Sequence, residues 1–208
     1  MAKQMHWDTP FEYHFDRGLY FHEVAPGLCC GTQPRNPAEV EQLAKRHGIN
    51  VIVNLQQDKD MQHWGVDFEA NQRKCTELGL QLIRKPAIDF DPHSLRKTLP
   101  TAVKEVGLAI QQGKRVYVHC TAGLGRAPAV CIGYLYWYGP YLSLHEAYDH
   151  LTSIRPCGPK KEAIRGATFD ILDDRHFDQF FGLPEDAWAF LNQDDKHRLQ
   201  QRLYDHWH

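Results

Sequence analysis

Apolar residues follow two rhythms along this chain. Short, dense apolar runs bounded by turn residues read as buried strands, and longer stretches with apolar positions three and four apart read as helices. Residues 19 to 33 hold two short strands broken by Pro26-Gly27, and Pro34 closes the second. Asn36 is placed to cap a helix, with Pro37 at its first position and Glu39 three residues on; Gly48 stops it after about His47. Val51 to Leu55 is then a strand, Val66 to Leu78 a helix stopped by Gly79, and Leu80 to Arg84 a strand. Leu99 to Gln112 is a helix stopped by Gly113, and Arg115 to His119 a strand. Ala127 to Tyr138 is a continuously apolar helix, and Ser143 caps the next, with Glu146 at a capping-box position. Pro159 or Lys160 opens a further helix that reaches about Leu172. Beyond Asp173-Asp174, Pro184 to Trp207 reads as a C-terminal helix interrupted near Asn192 to Asp195.

Strands alternating with helices predict an α/β fold, with a central, largely parallel sheet flanked by helices. With 208 residues, 42% of them hydrophobic, the chain can bury one substantial core. The expected organisation is one domain over residues 11–172, with a C-terminal extension over 173–208 integrated with it; no repeat or low-complexity linker interrupts it. The net charge of -2 and a pI near 6.7 argue against a nucleic-acid partner. Arg84/Lys85 and Lys160/Lys161/Arg165 are local basic spots, each of which reads equally well as a solvated face or an anion contact. No stretch reaches the roughly 18 apolar residues of a membrane span, so no membrane partner is expected. The opening segment lacks an apolar signal core and carries Asp8, Glu12 and Asp16, which also suits a transit peptide poorly. The expectation is a cytosolic chain or one that begins after a removed leader. Nothing in the sequence speaks against a monomer. The six cysteines, at 29, 30, 75, 120, 131 and 157, include no CxxC pair and form no metal pattern; they suit a reducing compartment. Cys131 falls in the apolar helix and is expected in the core.

The segment VYVHCTAGLGRAPAV, residues 116–130, changes the picture. It reads strand, glycine-bearing loop, helix. A loop feeding a helix N-terminus points backbone N–H groups at one spot and adds the favourable helix dipole, which makes an anion cradle. The loop runs His119, Cys120, Thr121, Ala122, Gly123, Leu124, Gly125, Arg126. Gly123 and Gly125 let it curl, and the planar fork of Arg126 can grip two phosphate oxygens. Helix N-termini and nearby cations depress cysteine pKa values to roughly 3.5–7.5, so Cys120 is the candidate nucleophile for covalent phosphoryl transfer. His119 is expected to orient the loop. No metal or other cofactor is expected, because loop amides and Arg126 supply the charge stabilisation that Mg²⁺ gives elsewhere.

A leaving alkoxide needs a proton, and the donor must come from a second loop. KPAIDFDP offers Asp89 and Asp91; Asp89 is preferred and Asp91 is assigned to capping the helix that follows. Trp64 and Phe90 sit in loops beside charged residues, where aromatic rings can stack on the C–H faces of sugars or simply fill core. Tyr13 divides evenly between those readings. Tyr134, Tyr136, Trp137 and Tyr138, on the helix after the loop, are expected in the core.

HCTAGLGRA resembles the active-site loop of the dual-specificity phosphatases and, within them, the plant glucan phosphatases that dephosphorylate starch. That group has Gly where Gly125 stands and Ala where Ala127 stands; many cysteine phosphatases carry Ser/Thr at the latter position. NLQQDKDMQHWGVD, PAIDFDPHSLRKTLP and SIRPCGPKKEAIRGATFDIL extend the resemblance over about Tyr13 to Leu191. The resemblance implies the cysteine-phosphatase fold, Asp89 as general acid, Cys120 as nucleophile and Arg126 as clamp. It implies an aromatic channel for a glucan chain at Trp64, Phe90 and Tyr13, with His63 where an aromatic Tyr is expected. It also points to Trp188 as part of a surface glucan site on a C-terminal segment packed against the phosphatase domain; Lys85, from one of the basic spots, is taken as a further substrate contact. The implied relatives lack a carbohydrate-binding module and act on phosphorylated glucan in plastids.

Three functions are consistent with this sequence: a glucan phosphatase, a dual-specificity protein phosphatase, and a non-catalytic phosphate or glucan binder. The intact set Asp89, Cys120 and Arg126 weighs against the third.

Overall fold

A computed structural model describes residues 13–173 and 177–206. Residues 1–12, Asp174 and the Trp207 end of the expected C-terminal helix lie outside the described residues. Five strands, β1 (Phe21–Ala25), β2 (Leu28–Gly31), β3 (Val51–Asn54), β4 (Gln81–Arg84) and β5 (Val116–His119), form one sheet in the order β1-β2-β5-β3-β4. Only the β1–β2 hairpin is antiparallel; β5 lies parallel to both β2 and β3, and β3 parallel to β4. The helices are α1 (Pro37–His47), α2 (Asp58–His63), α3 (Phe68–Glu77), α4 (Pro92–Gln111), α5 (Arg126–Trp137), α6 (Leu144–Ile154), α7 (Lys161–Leu172) and α8 (Gln193–His206). Single 3-10 turns occupy Phe15–Arg17 and Phe177–Gly182.

The strands β2, β3 and β5 are buried at every position, which is why they read as dense apolar runs. Alternate residues face opposite layers. Cys29, Ile52 and Tyr117 meet Val40, Leu43 and Cys75 from α1 and α3. Cys30, Val51, Val53, Val116 and Val118 meet the larger core built from α4, α5, α6, α7 and α8. Tyr136, Trp137 and Cys131 are fully buried there, as expected; Tyr134 and Tyr138 are partly buried and stack with ring centroids 5.7 Å apart.

Three boundaries differ from the expectation. The short helix α2 has one buried side chain, Met61, so no apolar period announces it. The helix α4 begins at Pro92, seven residues before Leu99, because Asp91 caps it by accepting from the His93 and Ser94 amides (2.9 and 3.0 Å). Pro100 lies inside it, held by the buried face of Leu95, Leu99, Val103 and Val106. At the C-terminal end the helix starts only at Gln193. The supposed interruption is its cap, Asn192 Oδ1 accepting the Asp195 amide (2.8 Å) while Asp195 Oδ2 accepts the Asn192 amide (3.3 Å). The preceding residues form turns and a bridge from Phe190 to Ser143. Among the described residues no helix is long and apolar enough to cross a membrane.

Candidate active site

The carboxyl ends of β2, β5, β3 and β4 meet at one edge of the sheet, the place where open α/β sheets bind ligands. From β5 the chain passes directly into Cys120 and the loop, and α5 begins at Arg126. Each loop carbonyl is tied down. The Cys120 carbonyl accepts from His119 Nδ1 (3.0 Å), that of Thr121 from the Gln33 amide (2.9 Å), that of Leu124 from the Gly158 amide (3.0 Å) and that of Gly125 from the Ala129 amide (3.1 Å). Arg155, fully buried at the end of α6, donates to the two that remain, Ala122 (3.0 Å) and Gly123 (2.8 Å). With every carbonyl held, the amides of residues 121–125 donate to no other described residue, which is the arrangement of an anion nest. Gly123 makes this possible. Its φ is +68°, and a Cβ there would collide with the Gly31 carbonyl and the Arg155 guanidinium.

Cys120 is 3% exposed at the base of the nest. Arg126, 2% exposed, reaches over it. Its Nη1 donates to Asp60 Oδ2 (2.6 Å) and to the Ala87 carbonyl (3.0 Å), its Nη2 to Thr121 Oγ1 (3.3 Å), and its Nε lies 3.1 Å from Asp89 Oδ1. Asp89 is therefore at the loop, and Asp91 is spent on the α4 cap. Burial pushes His119 down from 6.5 to about 4, against the pull of its bond to Cys120, so the ring is neutral. Burial likewise raises Cys157 to about 12 and Cys29 and Cys75 to about 11, which leaves those thiols protonated.

Two cavities open on the loop. One, about 290 Å³, is lined by Cys120, Arg126, Asp89, Leu95, Pro159 and Lys160. The other, about 600 Å³, is lined by Tyr13, Lys59, His63, Trp64 and Thr121. Phe90 borders both, 97% exposed and held at φ +59°. Trp64 is packed by Tyr13, His63 and Phe15 at centroid distances of 5.0, 5.3 and 5.5 Å. The Tyr13 hydroxyl accepts from Gln33 Nε2 (3.0 Å), and Gln56 Nε2 joins Gln33 Oε1 (2.8 Å) to Thr121 Oγ1 (3.1 Å), so this wall is wired to the loop.

The sequence-predicted residues thus assemble in two groups and leave two outside. Cys120, Arg126, Asp89 and the loop line one cavity, and Trp64, Phe90, Tyr13 and His63 the adjoining trough. Lys85 lines neither cavity and pairs with Glu105 of α4 (3.3 Å). Trp188 packs against the core, where its carbonyl accepts from the Tyr136 hydroxyl (3.0 Å). Asp60, Arg155, Gln33 and Gln56 were not singled out by the sequence. Each is one polar residue whose burial only the fold creates. The sole signal was for Asp60, which sits three residues after Gln57 in capping-box spacing.

Residues 33–165 match the family described as dual specificity phosphatase, catalytic domain. The chain is 39% identical over 162 residues to the amyloplastic phosphoglucan phosphatase DSP4 of Castanea sativa, covering 77% of this chain and 43% of that protein. It is 31% identical over 182 residues to the chloroplastic phosphoglucan phosphatase LSF1 of Arabidopsis thaliana, covering 86% of this chain and 30% of the relative. The chain thus spans less than half the length of either. The crystal structure of human DUSP28 superposes with a TM-score of 0.55 at 27% identity, covering 71% of this chain and 91% of that one.

Proposed function

Since the chain belongs to the dual specificity phosphatase family, we propose that it removes phosphate from a phosphorylated, starch-like glucan through a cysteinyl-phosphate intermediate. The observation that carries the substrate is the aromatic trough of Tyr13, His63 and Trp64, which opens beside Cys120 and is edged by the almost fully exposed Phe90. A solvent-facing Phe ring held in the left-handed region costs free energy without filling core, so it suits a ligand face. The names of the chestnut and Arabidopsis relatives support the same reading, and with it a plastid location.

The phosphoryl oxygens sit in the loop amides and on Arg126. The Cys120 thiolate attacks phosphorus, a S–P bond forms, and the P–O bond to the sugar breaks. Asp89 gives its proton to the departing sugar oxygen. A water then attacks the phosphorus, its proton passes to the Asp89 carboxylate, an O–P bond forms as the S–P bond breaks, phosphate leaves and the thiolate is restored. The test is phosphate release from phosphorylated amylopectin compared with a panel of phosphopeptides at matched phosphate concentration. Preference for the glucan supports the proposal; faster release from the peptides would replace it with a protein phosphatase.

A further inference from the structure

Arg126 is met by two carboxylates, and only one of them, Asp89, was expected. The other is Asp60, the third residue of α2, whose Oδ2 lies 2.6 Å from Arg126 Nη1. The same oxygen accepts the Gln57 amide (3.0 Å), so the carboxylate is fixed by its own helix cap before it meets the arginine. Nη1 also donates to the Ala87 carbonyl. That corner of the guanidinium is filled. The opposite edge, Nε with Nη2, is the side that forms two parallel bonds with an oxyanion. Nη2 spends one hydrogen on Thr121 Oγ1, and Nε, although buried, makes no hydrogen bond among the described residues.

We infer that Asp60 is a positioning residue of the phosphate clamp: by holding Nη1, it turns the Nε–Nη2 edge of Arg126 toward the phosphate. Asp89 does not fill this role. Its Oδ1 lies beside Nε, at the ligand-facing edge, and its side chain is 40% exposed against 13% for Asp60. An arriving oxyanion displaces Asp89 from that edge and leaves Asp60 in place. The inference concerns phosphate binding alone and is independent of which molecule carries the phosphate.

The test measures inorganic phosphate binding by calorimetry to Cys120→Ser protein, in which no turnover intervenes. Removing a negative charge beside an anion site should by itself tighten anion binding. Asp60→Asn is expected instead to weaken phosphate binding about tenfold, because the clamp loses its charged anchor. In Arg126→Lys protein, which keeps a cation but has no edge to turn, the same substitution is expected to weaken binding by less than about twofold. Asp58→Asn breaks the Arg84 ion pair of the same helix and controls for a loosened α2; it too is expected to stay within about twofold. Unchanged or tighter binding in Asp60→Asn would overturn the inference. So would an equal loss in the Arg126→Lys background or from Asp58→Asn.

Discussion

His119 makes stability at the loop-bearing edge of the sheet depend on pH. It closes β5, its ring is 2% exposed, and Nδ1 is committed to the Cys120 carbonyl. Burial first, and the charges of Arg126 and Arg84 after it, oppose a proton on this ring, so its pKa falls from 6.5 to about 4. The unfolded chain takes up that proton near pH 6.5 while the folded one refuses it until about 4. The unfolded state therefore binds more protons across this window, and stability falls as pH falls from 6.5 toward 4; above 6.5 the contribution is level. At 1.36 kcal/mol per unit, the complete loss is roughly 3 kcal/mol, and about 2 kcal/mol of it is reached by pH 5. Urea unfolding at a series of pH values from 7.5 to 5 reads this directly, with His119→Asn as the comparison because it removes the titration and keeps a donor near the carbonyl. Whatever the variant costs at pH 7.5, its stability should decline less steeply with acid, by about 2 kcal/mol over the range. Parallel curves for the two proteins would show that His119 does not resist protonation and would refute the argument.

Asp89→Asn should lower turnover of an alkyl phosphate on the order of 10²-fold or more, and Asp91→Asn should instead lower the melting temperature through loss of about 1 kcal/mol of capping; steady-state rates and thermal melts on both variants would expose a reversed assignment. Trp64→Ala should reduce hydrolysis of phosphoglucan far more than that of a small aryl phosphate, and equal losses on the two substrates would remove the trough from the substrate reading. Gly123→Ala should abolish phosphate binding and destabilise the fold by roughly 2 kcal/mol or more, since it combines a positive φ with a backbone collision; an alanine variant with ordinary activity would contradict the nest geometry.

How much of this was legible in the sequence follows burial. The strands β2, β3 and β5 are covered on both faces, so their apolar runs declared them. The reactive loop was legible because strand, glycine and helix are contiguous in the chain. By contrast, α2 shows solvent most of its side chains other than Met61 and Asp60, and a six-residue polar helix leaves no period to detect. The helix α4 runs on past the expected start at Leu99 to Pro92, with Pro100 in its interior. Residues 184–191 place Ala187 and Trp188 four and three positions before Leu191, a spacing that fits a helix. In the structure Trp188 takes φ +61° and Phe190 pairs with Ser143 instead. Asp60 and Arg155 illustrate the deeper limit: a single charged residue in a sequence reads as solvated, and only the assembled fold shows which ones face a carbonyl or a guanidinium.

Arg155 carries a consequence for the shape of the loop. The loop occupies eight contiguous residues, yet its carbonyls are gathered by a guanidinium 32 and 33 positions downstream, which also donates to the Tyr20 carbonyl 135 positions upstream (3.3 Å). The stretch from β5 to α5 contains Cys120 and Arg126 but not the side chain that holds the Ala122 and Gly123 carbonyls. The shape of the loop is thus a property of the whole fold, since two of its carbonyls are held from beyond α6 by a side chain that also reaches back to the segment before β1.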